Sequence, residues 1–119
     1  MDGCPITFLA SPLLQLNPEF SSGTWDQQAL SLEVMLTFDA VMDTSVVPAI
    51  VSWEVIKNSI TIVPDVITWV GQELRLFFNV IAPSPGANPT VELLVEDSNL
   101  HALAGQNVLP FGPETVPEL

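Results

Sequence analysis

The sequence predicts an all-β fold, a two-layer antiparallel sandwich of about seven to nine short strands. Three observations carry this prediction. Apolar and polar residues alternate in several short segments, which is the period of a half-buried strand. No segment sustains the apolar spacing of three and four residues that an amphipathic helix needs. The 11 prolines among 119 residues also leave little room for a long helix.

The clearest strand pattern lies in the segment ALSLEVMLTFDAVMD, residues 29–43. Apolar side chains occupy every second position of its first half: Leu30, Leu32, Val34, Leu36 and Phe38. Because side chains alternate between the two faces of a strand, we expect this row to lie in the core and to face Phe78 and Val91. Polar residues then bracket Val41 and Met42, which indicates a loop anchored by one or two buried side chains.

The chain before this strand is expected to form an N-terminal arm, residues 1–28, that carries edge strands. Prolines divide the arm into short pieces, of which residues 6–9 and 13–16 could each add a strand at a sheet edge, where proline is tolerated. Residues 20–28 are polar and contain glycine, so a loop is predicted there. Its Trp25 is expected to cover one end of the core.

Two hairpins are predicted after the central strand. Their strands span residues 51–56, 60–63, 66–70 and 73–80. The turns fall at Lys57-Asn58-Ser59 and at Gly71-Gln72. One face of the last of these strands is apolar: Leu74, Leu76, Phe78 and Val80. Phe77 lies on the opposite face, where it is either a second-layer residue or an exposed contact.

A Pro-rich loop and a last hairpin complete the predicted sandwich. Three prolines within residues 82–89 exclude a helix interior or a central strand there. A strand is expected at 90–96, with Val91, Leu93 and Val95 pointing inward, and the final strand at 108–111. The sandwich is therefore predicted to span residues 29–111, and residues 112–119 are predicted to form a C-terminal tail.

Two phrases resemble the bacterial and phage immunoglobulin-like modules of the Big type. The first is Phe38 followed by the Met42-Asp43-Thr44-Ser45 turn, and the second is segment 97–107, with an aspartate, small residues and a Gly-Asn type of turn. The resemblance covers residues 31–111 and implies an immunoglobulin-like β-sandwich of the kind found in phage structural proteins and bacterial surface proteins. The long N-terminal arm and the Pro-rich loop depart from that pattern and leave the strand order open.

The charge balance excludes several classes of partner. Fourteen acidic residues stand against Lys57 and Arg75, which gives a net charge of −12. Such a chain repels a phosphate backbone, so no nucleic-acid partner is expected. An anionic membrane surface is disfavoured for the same reason, and no apolar run reaches the roughly 18 residues that a spanning helix needs.

The low charged fraction points to contacts with other chains. Only 13% of residues are charged and the mean hydropathy is +0.44, whereas an average soluble domain is about 25% charged. Two interpretations are open. The exterior is covered by uncharged polar residues (Ser, Thr, Asn and Gln), or a sizeable apolar area is covered by other chains. The second interpretation is favoured. Cys4 is the one cysteine, so no internal disulfide is expected. The first residues lack a basic leader, so secretory export is not expected if Met1 is the natural start.

No set of residues indicates catalysis. The chain has one His, one Cys, no Tyr and no Gly-x-Ser-x-Gly motif. His101 is expected to be a turn or packing residue. Asp39 with Asp43, or Glu96 with Asp97, could offer oxygen ligands to Ca²⁺, but solvated turn carboxylates are the favoured interpretation. We therefore expect no enzymatic activity, no catalytic residue, no metal site and no cofactor.

Three functions compete on these observations. The favoured one is a non-enzymatic virion structural protein, specifically a phage capsid cement or decoration protein that is assembled in the host cytoplasm. Its partners would be other structural proteins of the particle, above all a major capsid protein, with a homo-oligomer left open. The second is an adhesion module of a bacterial surface protein, located outside the cell. The third is a carbohydrate-binding module that uses Trp25, Trp53 or Trp69 as stacking platforms.

The termini and the Pro-rich loop are expected to grip neighbouring subunits. Proline rings restrict these segments before binding and so lower the entropy lost on capture. The predicted contact residues are Ile6, Phe8, Trp25, Phe77, Pro83, Pro85, Pro89, Phe111, Val116 and Leu119. Under this hypothesis, deleting residues 112–119 or 1–12 leaves the sandwich folded.

Overall fold

A computed structural model describes residues 16–79 and 88–119. The strands predicted at 6–9 and 13–16, like most of the Pro-rich loop, lie outside the described residues. The described regular structure comprises β1 Phe20–Gln27, β2 Ser31–Phe38, a 3-10 helix Ile50–Ser52, β3 Trp53–Lys57, β4 Ile60–Ile62, β5 Val66–Val70, β6 Glu73–Asn79, β7 Thr90–Leu93 and β8 Phe111–Thr115. Within those residues no helix is long and apolar enough to span a bilayer. The all-β prediction is confirmed.

The eight strands form two antiparallel four-stranded sheets. One sheet has the order β1-β2-β6-β5 and the other the order β4-β3-β7-β8. This arrangement corresponds to strands A-B-E-D and C′-C-F-G of immunoglobulin domains. The predicted immunoglobulin-like sandwich is therefore confirmed at the level of fold, and the strand order that the sequence left open is settled.

The core forms between the inner faces of the two sheets. Its members with the least exposure include Leu32, Val34, Leu36, Leu74, Leu76, Phe78, Val55, Val91 and Leu93. Leu32 lies opposite Phe78 and Leu36 opposite Leu74, so β2 and β6 contribute one continuous apolar surface. The row predicted on β2 is confirmed from Leu32 to Phe38.

Two residues predicted to be buried are exposed. Leu30 is 61% exposed because β2 begins only at Ser31, so Leu30 belongs to the preceding turn. Val95 is 54% exposed because β7 ends at Leu93. The alternation of apolar and polar residues in the sequence extends beyond the residues that pair in the sheet. The prediction was wrong at these two positions.

Residues 20–27 form strand β1, where the sequence predicted a loop. They pair with almost the whole of β2, and the small and polar side chains lie on the outer face. Gly23 is needed on the inner face because a Cβ there would lie 2.8 Å from Val116 and 2.9 Å from Leu36. Trp25, which was expected as a cover over the core, is part of this strand and is 4% exposed.

The C-terminal segment is part of the sandwich, contrary to the predicted tail. The last strand is Phe111–Thr115, not 108–111, and it pairs with β7. Val116 then has no exposed surface, and its N–H donates to the carbonyl of Pro89. Pro113 was compatible with a strand because β8 is an edge strand, where proline is tolerated.

The final residues cross to the other sheet and run parallel to β1. The Trp25 N–H donates to the Pro117 carbonyl at 3.1 Å, and the Leu119 N–H donates to the Trp25 carbonyl at 2.8 Å. The two sheets are thus joined along this side by main-chain hydrogen bonds. The folded unit extends beyond the predicted limits of 29–111, from β1 to the C-terminus.

Candidate contact surface

Two loops, residues 39–49 and 94–110, meet at the end of the sandwich where β2 ends and β8 begins, and we call them the apical loops. Met42 anchors the first loop because its side chain is 2% exposed and its N–H donates to the Gln72 side chain at 2.7 Å. The Leu103 N–H of the second loop donates to the Val41 carbonyl at 2.8 Å. Met42 is therefore the buried anchor that the sequence predicted, while Val41 and Leu103 are 63% and 68% exposed.

Three adjoining hollows cross this end, and we call them together the apical groove. The apolar residues that line it include Leu16, Phe20, Val41, Leu103, Leu109 and Phe111. The hollow beside Val41 and Leu103 has a volume of about 470 Å³, and the hollow beside Phe20 and Phe111 about 310 Å³. The rings of Phe20 and Phe111 stack with their centroids 5.3 Å apart, which joins β1 to β8 below the groove.

The charge around the groove is negative. Exposed carboxylates of Glu19, Asp39 and Glu114 lie along its walls. Both basic residues of the chain lie elsewhere. Lys57 is 4% exposed, with Nζ 4.6 Å from the centre of the Trp25 ring. Arg75 lies on the outer face of the first sheet and contacts two carboxylates there. A positively charged partner group would meet no repelling side chain in the apical groove.

Asp39 fixes the chain that leads into β1. Its Oδ1 accepts a hydrogen bond from the Glu19 N–H at 2.8 Å, and its own N–H donates to the Glu19 carbonyl at 3.0 Å. These bonds hold residues 16–19 beside the end of β2, which places Leu16 at the groove.

The carboxylate of Asp43 accepts hydrogen bonds within its own loop. Its Oδ1 accepts hydrogen bonds from the Ser45 hydroxyl at 2.6 Å and the Ser45 N–H at 2.9 Å. These two bonds, the hydroxyl first, lower the pKa of Asp43, and the nearby imidazole of His101 acts in the same direction. The His101 Nε2 lies 3.5 Å from Asp43 Oδ2, so His101 packs beside this turn, next to Asn107 across a β-bridge.

Asp97 links the two apical loops. Its Oδ2 accepts hydrogen bonds from the Ala49 N–H at 2.8 Å and the Ser52 hydroxyl at 2.7 Å, and its Oδ1 accepts one from the Asn99 N–H at 2.8 Å. Partial burial would raise the pKa of Asp97, but these three donors outweigh it and lower the pKa. Glu96 accepts a hydrogen bond from Asn107 at 2.8 Å.

These contacts bear on the alternative that the loop carboxylates bind Ca²⁺. Asp39, Asp43, Glu96 and Asp97 each accept a hydrogen bond from a main-chain or side-chain donor of the protein. Across residues 16–79 and 88–119, no group of three or more His, Cys, Asp or Glu side chains is placed to hold a metal ion. The carboxylates of the two loops therefore have a structural use in positioning the groove.

The predicted contact residues lie in different environments. Trp25, Pro89 and Val116 are buried within the chain, so their side chains do not reach a partner in this structure. Phe77 is half-buried on the outer face of the first sheet. Phe111 lines the apical groove and Leu119 is 78% exposed. Four predicted residues lie outside the described part of the chain: Ile6, Phe8, Pro83 and Pro85.

The strongest contact candidates were missed by the sequence prediction. Val41, Leu103 and Leu109 lie in loops, where no alternation distinguishes an exposed apolar side chain from a buried one. The only signal available was the low charged fraction, which predicted exposed apolar surface without locating it. Val41 and Leu103 are separated by about half of the chain, so only the folded structure brings them together.

The tryptophans are not arranged as stacking platforms. Trp25 and Trp53 are 4% and 5% exposed, and Trp25 Nε1 donates to the Asn88 side chain at 2.9 Å. Trp69 is half-buried, and its Nε1 donates to the Val46 carbonyl at 2.8 Å. A carbohydrate ring that stacks on a protein needs an exposed aromatic face. The structure offers no coplanar exposed pair among these three rings.

Comparison of the sequence and the structure with protein-family models, with curated proteins and with solved structures found no match. The apical groove itself is therefore the basis for a functional assignment. An apolar groove with carboxylates along its walls suits a protein segment that carries apolar side chains next to lysine or arginine.

Proposed function

We propose that this chain is a non-enzymatic structural protein of a virus particle, a capsid cement or decoration protein that works by protein–protein contact. The observation that supports it most is the exposed apolar lining of the apical groove, with Val41 and Leu103 more than half exposed. Contiguous exposed apolar surface on a small domain usually marks an interaction site. The sequence resemblance to phage immunoglobulin-like modules supplies the virion context.

A fixed groove suits a protein that holds other subunits together. Asp97 ties one apical loop to the other, and Asp43 and Asp39 fix the turns on either side. Because these loops are held before binding, little conformational entropy is lost when the partner docks. The affinity can then come from burial of the apolar lining.

The expected partner surface is basic. The net charge of −12 and the carboxylates along the groove favour a capsid subunit that presents lysine or arginine beside apolar side chains. Charged groups at the rim of an interface act mainly on the association rate, and salt screens them. Association should therefore slow with added salt, while the dissociation rate changes less.

Fractionation of the source material tests the proposal. Particles purified from a lysate are separated from cell envelopes on a density gradient, and an antibody against this chain locates it. We expect the protein to sediment with the particles in a fixed ratio to the major capsid protein. Recovery with the envelope fraction instead would favour the adhesion module and contradict the proposal.

A further inference from the structure

Strand β5, Val66–Val70, is an open edge of the first sheet. It pairs with β6 on one side, and in the described part of the chain no strand pairs with its other side. Alternate residues of such a strand point their N–H and C=O groups away from the sheet. An edge of this kind is a template on which another extended strand can pair.

The sequence of β5 lacks the features that usually protect an edge. The strand Val-Ile-Thr-Trp-Val contains no charge and no proline, and three of its five residues are β-branched apolar. Val66 and Val70 are 50% and 51% exposed on the outer face. Natural edge strands are commonly protected by a lysine, a proline or a bulge, and β5 has none of these within its length.

The other described edges are protected. β1 is covered at Trp25 by the C-terminal residues, and β8 contains Pro113 and Glu114. β4 has only three residues, so it offers little main chain for pairing. Among the described edge strands, β5 is therefore the one with five or more residues that has no charge, no proline and no covering segment.

The strand is also complementary to itself. When two copies of β5 run antiparallel with a two-fold axis at Thr68, each Val66 lies opposite Val70 of the second copy. Ile67 then lies opposite Trp69, and Thr68 opposite Thr68. No charged residue meets a charged residue across the junction, which is the condition that a chain of net charge −12 needs for self-association.

We propose that two copies of this chain associate edge to edge through β5, in antiparallel register about Thr68, to form a continuous eight-stranded sheet. The interface is isologous, because the same strand is used by both copies. Main-chain hydrogen bonds would come from the free side of β5 and apolar contacts from the Val66–Val70 pairs. Phe77, which lies opposite Val66 on β6, would extend that apolar strip.

Disulfide trapping tests the register. In a Cys4→Ser background, Thr68→Cys places thiols opposite each other across the two-fold axis. Opposed Cα atoms of antiparallel strands are about 4.5–5.5 Å apart, inside the roughly 4.4–6.8 Å that a disulfide spans. Thr68 is exposed, so the change should leave the fold intact. We expect most of the oxidised protein to migrate at twice the chain mass.

Val66→Cys and Val70→Cys are matched controls. In the proposed register, position 66 is about four residues, or roughly 14 Å, from its own counterpart along the strand. Neither variant alone should form the covalent dimer, whereas an equal mixture of the two should. Circular dichroism confirms that each variant is folded. Equal trapping of all three single variants would contradict the register.

Sedimentation equilibrium tests association without a cross-link. The unmodified chain should show a concentration-dependent mass that approaches twice 12.9 kDa. Thr68→Lys should shift this equilibrium strongly towards single chains, because two lysines would meet at the two-fold axis beside Arg75. A chain that stays monomeric at high concentration, or a Thr68→Lys variant that dimerises as well as the unmodified chain, would overturn the inference.

One further outcome would assign the edge to a different occupant. When Cys4 is retained, peptide mapping of the oxidised Thr68→Cys protein shows which thiol has reacted. A link between position 68 of two copies supports the inference. A link from position 68 to Cys4 would mean that the N-terminal segment pairs with β5, and the second-copy interface would then be abandoned.

Discussion

Two leucines of the apolar row predicted on β2 lie in different environments. Leu36 has no exposed surface, whereas Leu30, six positions earlier in the same apolar row, is 61% exposed. Burial removes apolar area from water, so the two leucines should respond differently to truncation.

We expect Leu36→Ala to lower the free energy of unfolding by about 2–5 kcal/mol, from lost transfer energy and a residual cavity. Leu30→Ala is the matched control and should change it by less than about 0.5 kcal/mol. Urea denaturation of both variants measures the difference. Similar denaturation midpoints for the two would mean that β2 does not pack in this register.

Asp97 is expected to contribute to the free energy of unfolding through its hydrogen bonds. Asp97→Ala removes the acceptor of three donors, one of which, the Ser52 hydroxyl, belongs to a residue only 3% exposed. A loss of about 1–3 kcal/mol is expected at neutral pH. The exposed turn residue Ser98 offers a control, because Ser98→Ala removes no such acceptor.

The contribution of Asp97 should depend on pH. Its folded pKa is lowered from 3.8, so the carboxylate stabilises the fold fully above the unfolded pKa and loses that effect as pH falls through the folded pKa. The stability gap between the unmodified chain and Asp97→Ala should therefore narrow below about pH 4. Denaturation series at neutral and acidic pH measure this gap, and a gap that widens in acid would contradict the assignment.

At the scale of elements, strands were predictable from the sequence where apolar and polar residues alternate and the apolar ones are buried. β2, β5, β6 and the β3–β4 hairpin were located from period-two patterns and turn residues. The hairpin turn was placed correctly at Asn58 and Ser59, which both adopt positive φ. β1 and β8 were missed because their outward residues are small, polar or proline, so an edge strand looks like a loop in the sequence.

The C-terminal segment packs against the core, which an exposed tail would not do. Val116 is fully buried against Gly23 of β1, and the residues after it bond to Trp25. The earlier expectation that residues 112–119 could be deleted without unfolding is inconsistent with this packing. Removing them would take away most of an edge strand and expose one side of the core.

We expect Val116→Ala to cost about 1.5–3 kcal/mol, while Leu119→Ala, at a position that is 78% exposed, changes stability little. Deletion of residues 112–119 should abolish the cooperative unfolding transition or move it to much lower urea. A chain ending at residue 111 that unfolds at the same urea concentration as the full chain would show that β8 contributes nothing.

At the scale of the whole molecule, both basic side chains are engaged in contacts within the fold. Lys57 packs over Trp25 inside the sandwich, and Arg75 binds Glu73 and Glu33 on a sheet face. The surface thus presents carboxylates and apolar side chains with almost no cation. Composition predicted exposed apolar surface without locating it, and the fold places Val41 and Leu103, both exposed, side by side on the two apical loops.

The most direct test of the proposed contact function changes one leucine in the apical groove and measures how the chain binds to the proposed virus particle. Leu103→Asp places a charge in the apolar lining, and Leu30→Asp places the same charge on a leucine of similar exposure at the opposite end of the sandwich, 68% and 61% respectively. Both variants should remain folded. The measurement is the occupancy of each variant on particles stripped of the native protein. We predict that Leu103→Asp loses most of its occupancy while Leu30→Asp keeps it. Equal occupancy of the two variants would contradict the role of the apical groove.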